Sequence, residues 1–499
     1  MKYCIGIDLG TSSVKVILVN QNGKICGEVS KTYPLIQDKP GYSEQNPEEW
    51  VKKTVAALQE LFKASTLAPN QIEGISFSGQ MHGLVLLDEA HRVLRNAILW
   101  NDTRTTEQCE KIKRLVGTKT LLEITKNPVL EGFTLPKILW VKEHEPNVFE
   151  QAALFLLPKD YLRYRLTGKL HSEYSDAAGT LLLDVAEKQW SKEICDAVGV
   201  DIRLCPPLVE SHHCVGTITR QIAEQTSLSV ETKVFAGGAD NACGAIGSGV
   251  LEEGNTLCSI GTSGVLLSYE SSSQHDFQGK VHYFNHGKQN AYYTMGVTLA
   301  AGFALSWFKD TFAAHENFSD LLDGIEEVPV GANGLLFTPY IVGERTPHAD
   351  AQIRASFIGM DSRHKMIDFV RAVIEGITFS LNESIEIFRE SGKKIDSIIS
   401  IGGGAKNDEW LQIQADIFNA KIHKLASEQG PGVGAAIIAA YGCGWYTSLK
   451  ECVDLFSHTV KTFVPMPENV EKYKKLFSLY QLIYQQTKDL NRELYAFRY

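Results

Sequence analysis

The stretch IGIDLGTSSVKVILV, residues 5–19, constrains the fold more than any other part of the chain. Its alternating apolar residues read as two strands joined by a glycine turn. Yet Asp8 interrupts the most hydrophobic portion, and a carboxylate drawn out of water needs a compensating partner. A second stretch, LCSIGTSGVLL at 257–267, breaks an apolar run at Gly-Thr-Ser in the same way and then resumes. The chain therefore reads as two halves that repeat one device.

Length agrees with this division, because 499 residues exceed what one compact core accommodates. The expected domains are 1–244 and 245–499. Their joint is expected in FAGGADNACGAIGSGVLEEG, residues 235–254, where dense glycine suits a hinge-like loop under a cleft. The chain has 59 acidic against 49 basic residues, a net charge of -10, which opposes a broad nucleic-acid or anionic-lipid surface. Any anionic ligand must then be held in a local pocket. Gly6 and Asp8 arrive too early for a leader segment, and the apolar GAAIIAAYG is too short to span a bilayer, so a cytoplasmic, membrane-free protein is expected. No two of the ten cysteines lie closer than nine positions, which leaves no CxxC motif and suits buried thiols in a reducing compartment.

Along the first half, KYCIGIDLG and SVKVILVNQNGKICGEVSKTYPL predict three strands, with Asn22-Gly23 signalling a type I′ hairpin. NPEEWVKKTVAALQELFKAS predicts a helix capped by Asn46, with Trp50, Val51, Val55, Leu58 and Leu61 on one face. IEGISFSGQMHGLVLLD then reads as strand, polar loop and strand. The same order returns after the midpoint in NTLCSIGTSGVLLSYE, AYYTMGVTLAAGFALSWFKD, the long helix MIDFVRAVIEGITFSLNESIEIFRES and the strand-turn-helix IDSIISIGGGAKNDEWLQIQADIF. The class is mixed α/β.

Three glycine-rich turns carry the expected chemistry. Glycine lets backbone approach a ligand and adjacent amides form an anion-binding nest, so the turns around Thr11 and Ser12 and around Gly261 and Thr262 are candidate phosphate loops. Two of them, one per half, would grip a triphosphate from opposite sides. Asp8 beside the first is then a candidate for holding hydrated Mg2+. GGGAKND at 402–408 follows a strand and places glycines where backbone passes a flat ligand or a phosphate. Asp240 and Asn241 sit in GGADNACGAIGSG, read here as a glycine-walled loop at the floor of the cleft, where a carboxylate can take a proton from a substrate hydroxyl during phosphoryl transfer. Neither a Walker P-loop nor a GxGxxG fingerprint is present.

IGIDLGTSSVKVIL, SIGTSGVLL and ISIGGGAKN resemble the two phosphate loops and the adenosine loop of the actin, hexokinase and heat-shock ATPase fold. GFTLPKILWVKEH and ASFIGMDSRHKMIDFVRAVIEG resemble the two signatures of the FGGY carbohydrate kinases, and with the loops the likeness spans nearly the whole chain. PGYSEQNPEEW, SGQMHGLVLLD, ILWNDTRT and GERTPHAD resemble the branch of that family that phosphorylates D-xylulose, with small departures at the tyrosine of PGYSEQ and the threonine of NDTRT. The resemblance implies two actin-like (RNase H-like) ATPase domains flanking a central cleft, and ATP with Mg2+ as co-substrate. It also implies Asp240 as catalytic base and Asp8 as the carboxylate orienting magnesium and phosphate. Met81, His82, Trp100 and Asn241 would contact the sugar, and Gly403, Gly404, Ala405 and Asn407 would line the adenosine site. Read without the family, Met81 and His82 are a core methionine and a satisfied loop histidine. A homodimer is the quaternary expectation. The alternatives are another ketopentose, a polyol or a sugar acid as substrate, or an actin-like ATPase acting on no sugar.

Overall fold

The computed structural model describes residues 1–64, 67–426 and 430–498. Alternation over residues 3–32 yields three antiparallel strands, Tyr3–Leu9, Ser13–Asn20 and Ile25–Thr32. The helix Pro47–Ala64 covers them. Asn46 starts it, its Oδ1 accepting the Glu48 N–H at 3.0 Å, and Trp50, Val51, Leu58 and Leu61 are buried beneath it while Val55 is half-buried. Ser65, the last residue of the expected helix, lies outside the described residues. The strand Ile72–Gly79 then returns parallel to Tyr3–Leu9 and places Ser78 beside Asp8 in register. Lys233–Phe235, Cys214–Thr217 and the short Gly238–Ala239 complete a seven-stranded sheet.

The second half repeats this order. Asn255–Ile260 and Gly264–Glu270 form the hairpin, Tyr292–Thr298 is the third strand, and Ser397–Gly402 runs parallel to the first. His282–Asn285, Lys421–Leu425 and Thr459–Phe463 extend this second sheet, also of seven strands. The helices Gly302–Phe312, Met366–Glu390 and Asp408–Phe418 occur where the sequence predicts them. No helix among the described residues is long and apolar enough to cross a membrane.

Two local expectations are corrected. At the first hairpin only Gly23 has positive φ, +75°, whereas a type I′ turn needs two such residues. The reason is Asn20, whose Oδ1 accepts the N–H groups of Asn22 at 2.9 Å and Lys24 at 3.1 Å and closes a turn with one left-handed residue. At the joint, residues Asp240–Ser248 form a helix, so Asp240 and Asn241 open a helix and do not sit in a glycine loop. Its glycines serve contact. A Cβ on Gly247 would lie 2.6 Å from the Gly430 carbonyl oxygen, and one on Gly434 would lie 1.8 Å from that of Cys243.

This explains an unusual helix. Gly430–Gly442 is apolar on nearly every side because it is enclosed between Asp240–Ser248 and the first sheet, where Gly6 approaches the Gly432 carbonyl. A segment late in the chain thus packs on the sheet that begins it, and the two halves share one backbone-to-backbone helix crossing beneath the cleft.

Candidate active site

Each Gly-Thr-Ser turn ends a first strand and is fastened by its own half. In the first, Gly10 N–H donates to the Ser13 carbonyl at 3.0 Å, Tyr33 N–H to Ser12 at 3.2 Å and Gln45 Nε2 to Thr11 at 2.6 Å. In the second, Gly261 N–H donates to Ser263 at 3.0 Å, while Ala301 and Phe303 N–H both reach the Thr262 carbonyl at 3.0 Å. Carbonyls are tied back in both. The N–H groups of Thr11, Ser12, Thr262 and Ser263 make no hydrogen bond within the described chain, which is what an anion nest requires.

Two cavities meet at the second turn. The larger, about 540 Å³, is bounded by Gly261, Thr262, Gly403, Gly404, Lys406 and Asn407, with apolar walls from Phe303, Leu322 and Trp410. Asn407 also caps the following helix, its Oδ1 accepting the Trp410 N–H at 2.8 Å. Ala405 is fully buried behind this wall and does not line it. The smaller cavity, about 230 Å³, gathers Met81, His82, Trp100, Asp240 and Asn241, and Ser263 faces it. The turn Gly261–Ser263 is therefore the partition between them. Asp8, Thr11 and Ser12 line neither cavity, but Thr11 Oγ1 accepts the Trp100 indole N–H at 2.9 Å and so adjoins the smaller one.

Asp240 Oδ1 accepts the N–H of Asn241 at 2.7 Å and its Nδ2 at 3.0 Å, leaving Oδ2 without a hydrogen-bond partner among the described residues. Burial and then the charge of Asp8 push the Asp240 carboxyl up to about 7, against the pull of the Asn241 N–H. Burial likewise raises Asp8, opposed by Ser78 and by Lys15. Neither carboxylate has a salt-bridge partner among the described residues, since Lys15 pairs with Glu28 at 3.2 Å. Two adjacent carboxylates without a countercharge fit a hard divalent cation that also takes phosphate oxygens.

The residue before Asp240 is held from below. Ser175 Oγ accepts the Ala239 N–H at 3.0 Å and donates to Glu173. Glu173 belongs to a cluster without solvent exposure in which Lys159 reaches Asp160 at 2.7 Å, Asp176 at 3.1 Å and Glu173 at 3.2 Å. The same segment shapes the smaller cavity. His82 has φ +68°, and its Nδ1 must donate to the Gly179 carbonyl at 2.6 Å. That leaves Nε2 bare, and burial holds the imidazole neutral, down to about 3. A Cβ on Gly179 would stand 2.7 Å from that Nδ1.

Three contributors were not singled out in the sequence. Lys137, inside GFTLPK, is fully buried, which lowers it to about 7, and its Nζ donates to the carbonyls of Gly132, Phe133 at 2.9 Å and His82 at 3.2 Å. His282 and Arg345 line the smaller cavity from the second half. Arg345 lies in the quoted GERTPHAD. His282 lies on a strand with no motif to announce it.

Comparison with known proteins agrees with this geometry. The model of the FGGY family of carbohydrate kinases, N-terminal domain, matches residues 3–247, and that of the C-terminal domain matches 256–443. The chain is 64% identical to the xylulose kinase of Bacillus subtilis (strain 168) over 498 residues, 100% of both chains. The solved structure of ligand-bound xylulose kinase from Lactobacillus acidophilus superposes with a TM-score of 0.93 at 30% identity, covering 98% of this chain and 99% of that one. Gluconate kinase from the same organism gives 0.92 at 30%, covering 97% and 98%.

Proposed function

The chain belongs to the FGGY family of carbohydrate kinases, and from that premise we propose that it transfers the γ-phosphoryl group of ATP to O5 of D-xylulose, giving D-xylulose 5-phosphate. The observation that carries the reading is the partition: one glycine turn separates a nucleotide-sized cavity from a pentose-sized one in which Asp240 offers a free carboxylate oxygen.

Adenosine occupies the larger cavity, against Gly403, Gly404 and Asn407 with Ala405 packed behind, and the phosphates reach the free N–H groups of Thr262 and Ser263, met from the other half by those of Thr11 and Ser12. The sugar occupies the smaller cavity among Met81, His82, Trp100 and Asn241. Asp240 Oδ2 accepts the O5 proton as the oxygen bonds to phosphorus, while Asn241 holds the other carboxylate oxygen still. Asp8, with Asp240 beside it, would hold the Mg2+ that accompanies ATP, which would neutralise charge on the phosphates. Alignment and charge carry the step, because phosphoryl transfer leaves the protein little covalent work. A cytoplasmic location fits ten free cysteines. Assembly as a homodimer is checked by sedimentation at working concentration.

The test is a coupled ADP-release assay on D-xylulose, D-ribulose, xylitol and D-gluconate. D-Xylulose should give the highest kcat/KM, and ADP release without sugar should be lower by at least roughly tenfold. A preference for another sugar moves the substrate within the family. Sugar-independent turnover at the full rate restores the ATPase reading.

A further inference from the structure

Arg345 is placed by its neighbours. On one side Glu344 is saturated: Oε1 accepts the N–H groups of Leu299 at 3.0 Å and Arg345 at 2.7 Å, and Oε2 accepts the hydroxyls of Thr298 and of Ser380 at 3.0 Å. On the other side Thr346 is locked to the strand Tyr292–Thr298, its N–H donating to Val297 at 3.0 Å and its hydroxyl accepting the Val297 N–H at 3.1 Å. With both flanking residues fastened to one strand, the guanidinium between them lines the smaller cavity. It makes no hydrogen bond or salt bridge in the described chain. Glu344 has no acceptor position left for it, and Glu131 acts on it only through its charge, with no hydrogen bond or ion pair between the two side chains among the described residues. A half-buried guanidinium has five donors and a desolvation cost that only an acceptor offsets.

The two imidazoles have the opposite character. Asn127 orients His282 without ambiguity, because its Nδ2 donates to the carbonyls of Tyr283 at 2.7 Å and Thr125 at 2.8 Å while its Oδ1 accepts the Tyr283 N–H at 3.1 Å. His282 Nδ1, 3.2 Å from that Oδ1, must therefore carry the proton. Nε2 is left bare, as in His82, and each ring packs on Phe133, at 4.6 Å for His82 and 5.7 Å for His282. Arg345 is electrostatically close to both histidines, whereas the charge acting on Asp240 is that of Asp8. One cavity thus holds a carboxylate acted on by Asp8 and, near one another, a donor-only cation and two acceptor nitrogens.

This polarity suits one end of one form of the sugar, and the inference rests on the reading above. A 2-ketopentose closes its furanose ring through O5, so a sugar phosphorylated on O5 must react in the open chain, with C2 as a free ketone. Its oxygen can only accept a hydrogen bond, while the hydroxyls at C1 and C3 can donate. We infer that Arg345 donates to the C2 ketone oxygen and that the bare Nε2 atoms of His82 and His282 accept from the adjoining hydroxyls, so that these three residues select an open-chain ketose over the polyol of the same length. Reduction at C2 replaces an acceptor with a hydroxyl that needs its own acceptor, and Arg345 has none to give.

The experiment measures KM and kcat for D-xylulose, KM for ATP, and competitive inhibition constants for xylitol and D-arabitol, the two C2 reduction products. Arg345→Met should raise KM for D-xylulose by at least roughly tenfold, the loss expected for a charge-assisted hydrogen bond, with smaller changes in KM for ATP and in polyol inhibition. Arg345→Lys, which keeps a point charge without the planar fork, should recover part of the loss, and it decides the matter if the Met variant does not fold. An unchanged D-xylulose KM in either variant, or equal weakening of ketose and polyol, overturns the inference. Failure of the unsubstituted enzyme to use D-xylulose overturns the functional reading itself, so the two failures are distinct.

Discussion

The two Gly-Thr-Ser turns are copies in backbone and opposites in charge. Both follow the first strand of a sheet, both tie their carbonyls back, and both leave adjacent N–H groups free. Two residues before the glycine, however, the first turn has Asp8 and the second has Ser259. The first half also supplies Asp240, at the start of the helix that leaves its sheet, so both carboxylates come from the same half and act on one another. The second half instead adds the larger cavity and Arg345. Duplicating a backbone nest leaves two sets of free N–H groups; the side chains around each copy give only the first a pair of carboxylates, and the proposed proton and metal chemistry is assigned there for that reason.

The largest effect should come from the charged side. Asp240→Asn keeps the shape but removes the acceptor of the O5 proton, and kcat should fall by at least roughly 10²-fold while ATP affinity is retained. In the unsubstituted enzyme Asp240 must be ionised to act, so kcat/KM should drop as pH falls below about 7 and level off above it. The same raised carboxyl works against stability: the folded state binds this proton more tightly than the unfolded chain, so the contribution favouring folding is fully present below the ordinary carboxylate range and is lost as pH rises through about 7. The Asn variant should therefore gain Tm relative to the parent between pH 4 and pH 8. A pH-independent difference would remove Asp240 as a buried titrating group.

The contrast between the copies is broken next by paired substitution. Asp8→Asn should lower kcat by about tenfold or more and raise the Mg2+ concentration needed for half-maximal rate, whereas Ser259→Ala should change either quantity by less than about twofold. Comparable losses at both positions would make the turns equivalent. On the nucleotide side, a Cβ on Gly302 would lie 2.5 Å from the Gly261 carbonyl oxygen and must displace the second turn. Gly302→Ala should raise KM for ATP by roughly tenfold with little change in sugar KM, since small displacements of positioning groups are costly. A smaller loss than these belongs to Thr11→Val, which removes the acceptor of the Trp100 indole; sugar KM should rise roughly two- to fivefold, the worth of one neutral hydrogen bond.

Local periodicity and composition determined a good deal of this protein. The repeated hairpins, the Asn46-capped helix, the buried β-strands and the glycine turns follow from patterns that act over a few residues, and Asp8 was conspicuous because a carboxylate is costly in an apolar strand. Tertiary structure decided the rest. Glycines in GGADNACGAIGSG are equally compatible with a loop and with a close helix contact, and only the approach of Gly430–Gly442 made residues 240–248 a helix. The proton positions of His82 and His282 depend on Gly179 and Asn127, distant in sequence, and the Arg345 guanidinium has no hydrogen-bond partner among the described residues while the neighbouring Glu344 is taken up by Leu299, Thr298, Ser380 and the Arg345 N–H itself. Hydrogen-bond valence is finite and is distributed among neighbours in space, so which side chain remains free to meet a substrate is a property of the folded whole, not of any stretch of sequence.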